Sequence, residues 1–104
     1  MTVMADAGPD VDSFILEDIS TGVFASGFGQ LGDGRSFSFR MDGPAGRQAL
    51  LIEIYRQRLA GPVPHDEDVV ASARRPVLGI DLADERSLAA AVRDGVNSAV
   101  PTAR

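Results

Sequence analysis

The most regular stretch of the chain runs from Arg35 to Met41. Arg35, Phe37, Phe39 and Met41 alternate with Ser36, Ser38 and Arg40. This is the period-two pattern of a strand with one side in a core and the other in water. Ala49–Arg56 alternates likewise, with Leu50, Ile52 and Ile54 opposing Leu51, Glu53 and Tyr55. Apolar residues on both sides at one end predict a central strand, or one covered at that end. Two more strands are predicted upstream. Ser13–Ile19 sets Phe14, Leu16 and Asp18 against Ile15, Glu17 and Ile19. Val23–Leu31 sets Phe24, Ser26, Phe28 and Gln30 against Val23, Ala25, Gly27 and Gly29. The paired glycines predict a bulge or the close approach of another segment. Ser20-Thr21-Gly22 and Gly32-Asp33-Gly34 are turn signals, the second a strong hairpin signal. Gly43, Pro44 and Gly46 make Asp42–Gln48 a loop.

Past Arg56 the alternation stops. Gln57–Asp68 holds Gly61, Pro62 and Pro64, then Asp66-Glu67-Asp68. Its prolines favour an extended path. Val69–Arg75 fits a short edge strand or one to two turns of helix, ended either way by Pro76. The last element is a helix over Ser87–Val100. Leu88, Val92, Val96, Ala99 and Val100 share a stripe, Asp84 or Asp81 caps the start, and Pro101 stops it. Gly95 within it costs about 1 kcal/mol relative to Ala.

Short turns between consecutive strands imply an antiparallel meander. The expected fold is therefore α+β. Four strands, or five if Val69–Arg75 pairs, pack against one C-terminal helix. Residues 1–12 read as a disordered lead-in, 13–100 as a single domain and 101–104 as a disordered tail.

Composition narrows the chemistry. With 104 residues, 44% hydrophobic and 24% charged, the chain suits one small globular domain. It has no Cys, which removes disulfides, zinc–thiolate sites and thiol catalysis, and favours a cytoplasmic location. The start carries Asp6, Asp10 and Asp12 with no basic residue, unlike a secretory signal. No apolar run approaches the roughly 18–20 residues that cross a bilayer. All ten basic residues are Arg, a bias expected of GC-rich bacterial coding. Net charge is -5, unevenly spread. Residues 1–34 carry six acids and no Arg, whereas Arg35, Arg40, Arg47, Arg56 and Arg58 give the segment 35–58 a positive balance. An acidic chain has no general attraction for phosphate backbones, so nucleic acid is disfavoured as a partner.

Each chemical motif has a plainer explanation. His65 before Asp66-Glu67-Asp68 suggests metal ligation. Four consecutive residues do not converge on one ion, however, and no second His exists, so no metal and no cofactor is expected. His65 as a general base for Ser13, Ser20 or Ser36 lacks any nucleophile-elbow Gly-x-Ser-x-Gly. Gly27-Phe28-Gly29-Gln30-Leu31-Gly32 matches Gly-x-Gly-x-x-Gly, but a turn and a strand follow it where phosphate binding needs a helix N-terminus. Arg35-Ser36-Phe37-Ser38-Phe39-Arg40 has the look of a base-stacking RNA-binding strand. A chain with only five Phe needs those rings in its core. Arg56, Arg58, Arg74 and Arg75 would form an anion patch if strand ends met, or serve as edge charges against aggregation.

The expectation is thus a non-catalytic protein that acts through a protein partner or self-association, because one helix cannot bury both faces of a sheet. Leu51 and Tyr55, or Phe24 and Phe28, would occupy the uncovered face. One alternative is binding of a small anionic ligand by Arg35, Arg56 and Arg58, and a second is a nucleic-acid-binding module that presents Phe37 and Phe39.

Overall fold

The computed structural model describes residues 14–44, 46–59 and 61–102. Six antiparallel strands follow one another in a single open sheet: β1 (Ile15–Ser20), β2 (Ser26–Gln30), β3 (Ser36–Asp42), β4 (Ala49–Tyr55), β5 (Val69–Pro76) and β6 (Val100–Pro101). One helix, α1 (Glu85–Asn97), lies between β5 and β6 in sequence and packs on β4 and β5. The α+β meander is as expected, with two strands beyond the basic four.

Register explains the core. Phe37, Phe39 and Met41 pair with Ile54, Ile52 and Leu50 across β3 and β4. Phe37, Phe39, Leu50, Ile52 and Ile54 are almost completely buried and Met41 partly so, and they meet Leu88, Ala91, Val92 and Val96 of α1. Gly95 faces the same layer, and a Cβ there would run into the Ile52 side chain. The helix gives up propensity at Gly95 to lie close to β4. Asp84 caps α1 by accepting the Ser87 N–H at 3.0 Å, so the helix begins two residues before Ser87. It ends at Asn97, where the Ser98 N–H and hydroxyl both donate to the Asp94 carbonyl at 3.0 Å.

Toward β1 and β2, aromatic rings complete the core. Gly27 and Gly29 pair with Phe39 and Phe37. A Cβ on either glycine would lie 2.6 Å from Phe39 Cε2 or 2.7 Å from Phe37 Cζ. The glycines therefore mark a close approach, with the rings spread over a bare strand. Phe14 stacks on Phe37 with centroids 5.0 Å apart, and Arg93 sits over the Phe14 ring at 5.8 Å.

One open alternative is decided, and three expectations need correction. Val69–Pro76 is a strand, because its β-branched start and inward Ala71 and Ala73 complete the ladder beside β4. The stretch placed at the end of the helix and in the tail instead forms β6. Val100 and Pro101 pair with Ser72 and Ala71, and the Thr102 N–H donates to the Val70 carbonyl at 2.9 Å. Proline is tolerated there because β6 is an edge. In β1, Leu16 pairs with Gly29 and Asp18 with Phe28, leaving Glu17 in a bulge. Leu16 and Ile19 thus share the core side, breaking the strict alternation. Val23 and Phe24 belong to the β1–β2 turn, where the Ala25 N–H donates to the Gly22 carbonyl at 3.1 Å. Phe24 is accordingly 85% exposed and not part of a sheet face. The lead-in at residues 1–12 lies outside the described residues.

Candidate functional site

The face of the sheet opposite α1 carries Ser26, Phe28 and Gln30 of β2. Ser36, Ser38 and Arg40 of β3 follow, then Leu51, Glu53 and Tyr55 of β4 and Ser72 and Arg74 of β5. The same alternation that buries Phe37 and Ile52 puts these side chains outward. Two ion pairs cross the strands here. Arg40 Nη1 meets Glu53 Oε1 at 3.2 Å, and Arg74 Nη1 reaches Asp42 Oδ2 at 2.8 Å across β4. Ala49 is the open-face residue between that second pair, and its short side chain is buried. Tyr55 Oη and Ser38 Oγ are hydrogen-bonded at 2.6 Å. Burial pushes the Tyr55 phenol above its ordinary range, partly offset by the bond to Ser38.

The lower end of this face is partly roofed. The connection from β4 to β5 leaves at Arg56 and returns at Asp68, and its two ends are tied together. The Arg56 N–H donates to the Asp68 carbonyl at 2.9 Å, and the Arg56 guanidinium reaches Asp68 Oδ1 through Nε at 2.8 Å and Nη2 at 2.5 Å. Asp68 Oδ2 also accepts the His65 N–H at 2.9 Å. Asp68 is fully buried, and it ends a one-turn 3-10 helix over Asp66–Asp68. The His65 N–H first, then Arg56, hold its carboxyl below the usual carboxylate range, against a burial effect that would raise it. The closed neck makes the connection a compact Ω-loop. Leu59, Pro62, Val63 and Pro64 from this loop face Phe28 and Tyr55 across a cleft of about 550 Å³.

Of the residues singled out in the sequence, Leu51, Tyr55 and Phe28 do share the uncovered face. Tyr55 is buried against the Ω-loop and Leu51 is half-buried, while Phe28 is 49% exposed. The Arg residues divide. Arg35 is held by Asp33, through Nε to Oδ2 at 2.7 Å, Arg56 by Asp68, and Arg58 is exposed on the Ω-loop. Arg74 and Arg75 lie at the far end of β5 from Asp68. There Arg74 pairs with Asp42, and Arg75 lies opposite Leu50 with Asp94 at 3.9 Å. Ser20 sits at the end of the sheet away from His65, Ser36 lines the cleft, and Ser13 lies outside the described residues. Phe37 and Phe39 are buried under the helix layer, with no ring surface to stack on bases. Among the described residues, no cluster of three or more His, Asp or Glu is placed to hold a metal, and no helix is long and apolar enough to cross a membrane.

Two features of the face escaped the sequence pattern: the Glu17 bulge and the fold-over of Leu59, Pro62, Val63 and Pro64. The signal for the second was Arg56 and Asp68 flanking a Pro-rich break, which reads as a loop without saying where the loop lies. Comparison of the chain with protein families, curated proteins and solved structures finds no match.

Proposed function

We propose that this chain is a non-catalytic binding domain that acts by protein–protein contact through the open face of its sheet, with a second copy of itself as the partner. One observation carries the reading. Ile15, Phe28, Val63 and Val100, all large apolar side chains, are between 49% and 65% exposed around a charge-balanced centre. Arg40 and Arg74 there are matched by Glu53 and Asp42, in a chain of net charge -5. Two copies approaching by this face meet less mutual repulsion than by any acidic surface. A face that holds both signs side by side is also self-complementary under two-fold symmetry, since Arg40 of each copy can meet Glu53 of the other. Sedimentation equilibrium over a wide concentration range tests this. The expected result is a reversible dimer that Phe28→Ser and Val100→Ser each weaken by about tenfold or more. A monomer at every concentration would remove the reading.

A further inference from the structure

The cleft beneath the Ω-loop has a chemistry of its own. Phe28 and Tyr55 give it aromatic walls, and Leu59, Pro62 and Val63 an apolar rim. Its volume of about 550 Å³ lies within the range of small-molecule sites. Its one charged lining group is the Glu17 carboxylate, and no Arg or His is among the lining residues. That carboxylate is there because of the bulge. The extra residue in β1 falls between the pairs Leu16–Gly29 and Asp18–Phe28, and it brings Glu17 beside Gln30, whose Nε2 donates to Oε1 at 3.5 Å. Bulges commonly re-aim a side chain next to a site. The Ser38 and Tyr55 hydroxyls, 2.6 Å apart, add acceptor oxygens in the wall.

We infer that the cleft binds a small organic cation, a primary amine on an apolar stem, with its ammonium at Glu17 and its stem between Phe28 and the Ω-loop. Charge selects the class: an anion would meet the Glu17 carboxylate with no basic side chain to receive it. Aromatic walls favour a cation further, through the negative faces of their rings. A single chain supplies every lining group, but Phe28 and Val63 also belong to the surface proposed for self-association, so the two readings are told apart on the monomer.

The chain contains one Tyr and no Trp, so Tyr55 is its sole strong fluorophore, and it lines the cleft. Full-length protein is diluted to a concentration at which sedimentation shows monomer. It is then titrated at constant pH and ionic strength with hexylamine, hexanol and hexanoate while Tyr55 fluorescence is followed. Hexylamine is expected to give a saturable change with an apparent Kd at least tenfold lower than that of either other probe. Glu17→Gln should bring hexylamine to the level of hexanol, and Phe28→Ala should weaken hexylamine and hexanol together. Glu17 is exposed in a bulge, and unchanged circular dichroism confirms that its variant folds. Equal responses to amine and carboxylate, an amine preference that survives Glu17→Gln, or no saturable response to any probe would each overturn the inference.

Discussion

Asp68 has no exposed surface, yet its carboxylate stays ionised because both oxygens are occupied. A buried charge of this kind is stable only while its partners remain. Its carboxyl sits below the ordinary value of 3.8 in the folded chain, so the unfolded chain takes up the proton first as pH falls. The stability it contributes is therefore complete above the unfolded value and is lost as pH falls through the folded value. Thermal melts across a pH series should show stability dropping below about pH 4. Asp68→Asn should flatten that acid limb and lower the Tm by several degrees at neutral pH. An unchanged acid limb would mean that the Arg56–Asp68 neck contributes little. Gly29 makes a second residue-scale case. Gly29→Ala drives a methyl group toward Phe37 and the Ile15 carbonyl, and overpacking of this type costs about 1–3 kcal/mol. Urea denaturation measures the loss directly.

Among the elements, α1 is stabilised chiefly by burial of Leu88, Val92 and Val96, with Asp84 as its cap. Asp84→Ala removes the acceptor of the Ser87 N–H and should cost about 1 kcal/mol in the same urea assay. This cap, the helix stripe and the inward faces of β3 and β4 were legible in the sequence, because each rests on a local period or a short-range bond. Other features were not. The bulge at Glu17 depends on how β1 registers against β2, and alternation within one strand carries no trace of that. The short β6 forms only because β5 offers an unpaired edge where the chain leaves α1. Val69–Pro76 lies between short-strand and short-helix patterns, and β4 decides the matter by supplying a ladder. The pairing of Arg35 with Asp33 and of Arg56 with Asp68 was equally hidden. In the fold, three guanidinium groups of the basic segment, those of Arg35, Arg40 and Arg56, are neutralised by carboxylates, beside exposed Arg47 and Arg58.

At the scale of the whole molecule, the helix covers one side of the sheet and the chain's own Ω-loop roofs part of the other. The open side is accordingly less oily than a four-strand reading implies. Tyr55 is buried and Leu51 half-buried, and the largest exposed apolar contributions come from Ile15, Phe28, Val63 and Val100. Phe24 and Leu78, 85% and 93% exposed, lie in turns outside the strands. Single exposed residues of this sort are ordinary and need no partner. What distinguishes the open side is the combination of apolar rim and balanced charge. The measurement that bears on it most directly is solvent accessibility mapped by NMR with a soluble paramagnetic probe, at low and high protein concentration. Concentrating the protein should shield Phe28, Leu51 and Val100 from the probe, while Arg86, Ala89 and Arg93 on α1 remain as accessible as before. Shielding of the helix residues instead, or no residue-specific shielding at all, would contradict the open face as the working surface.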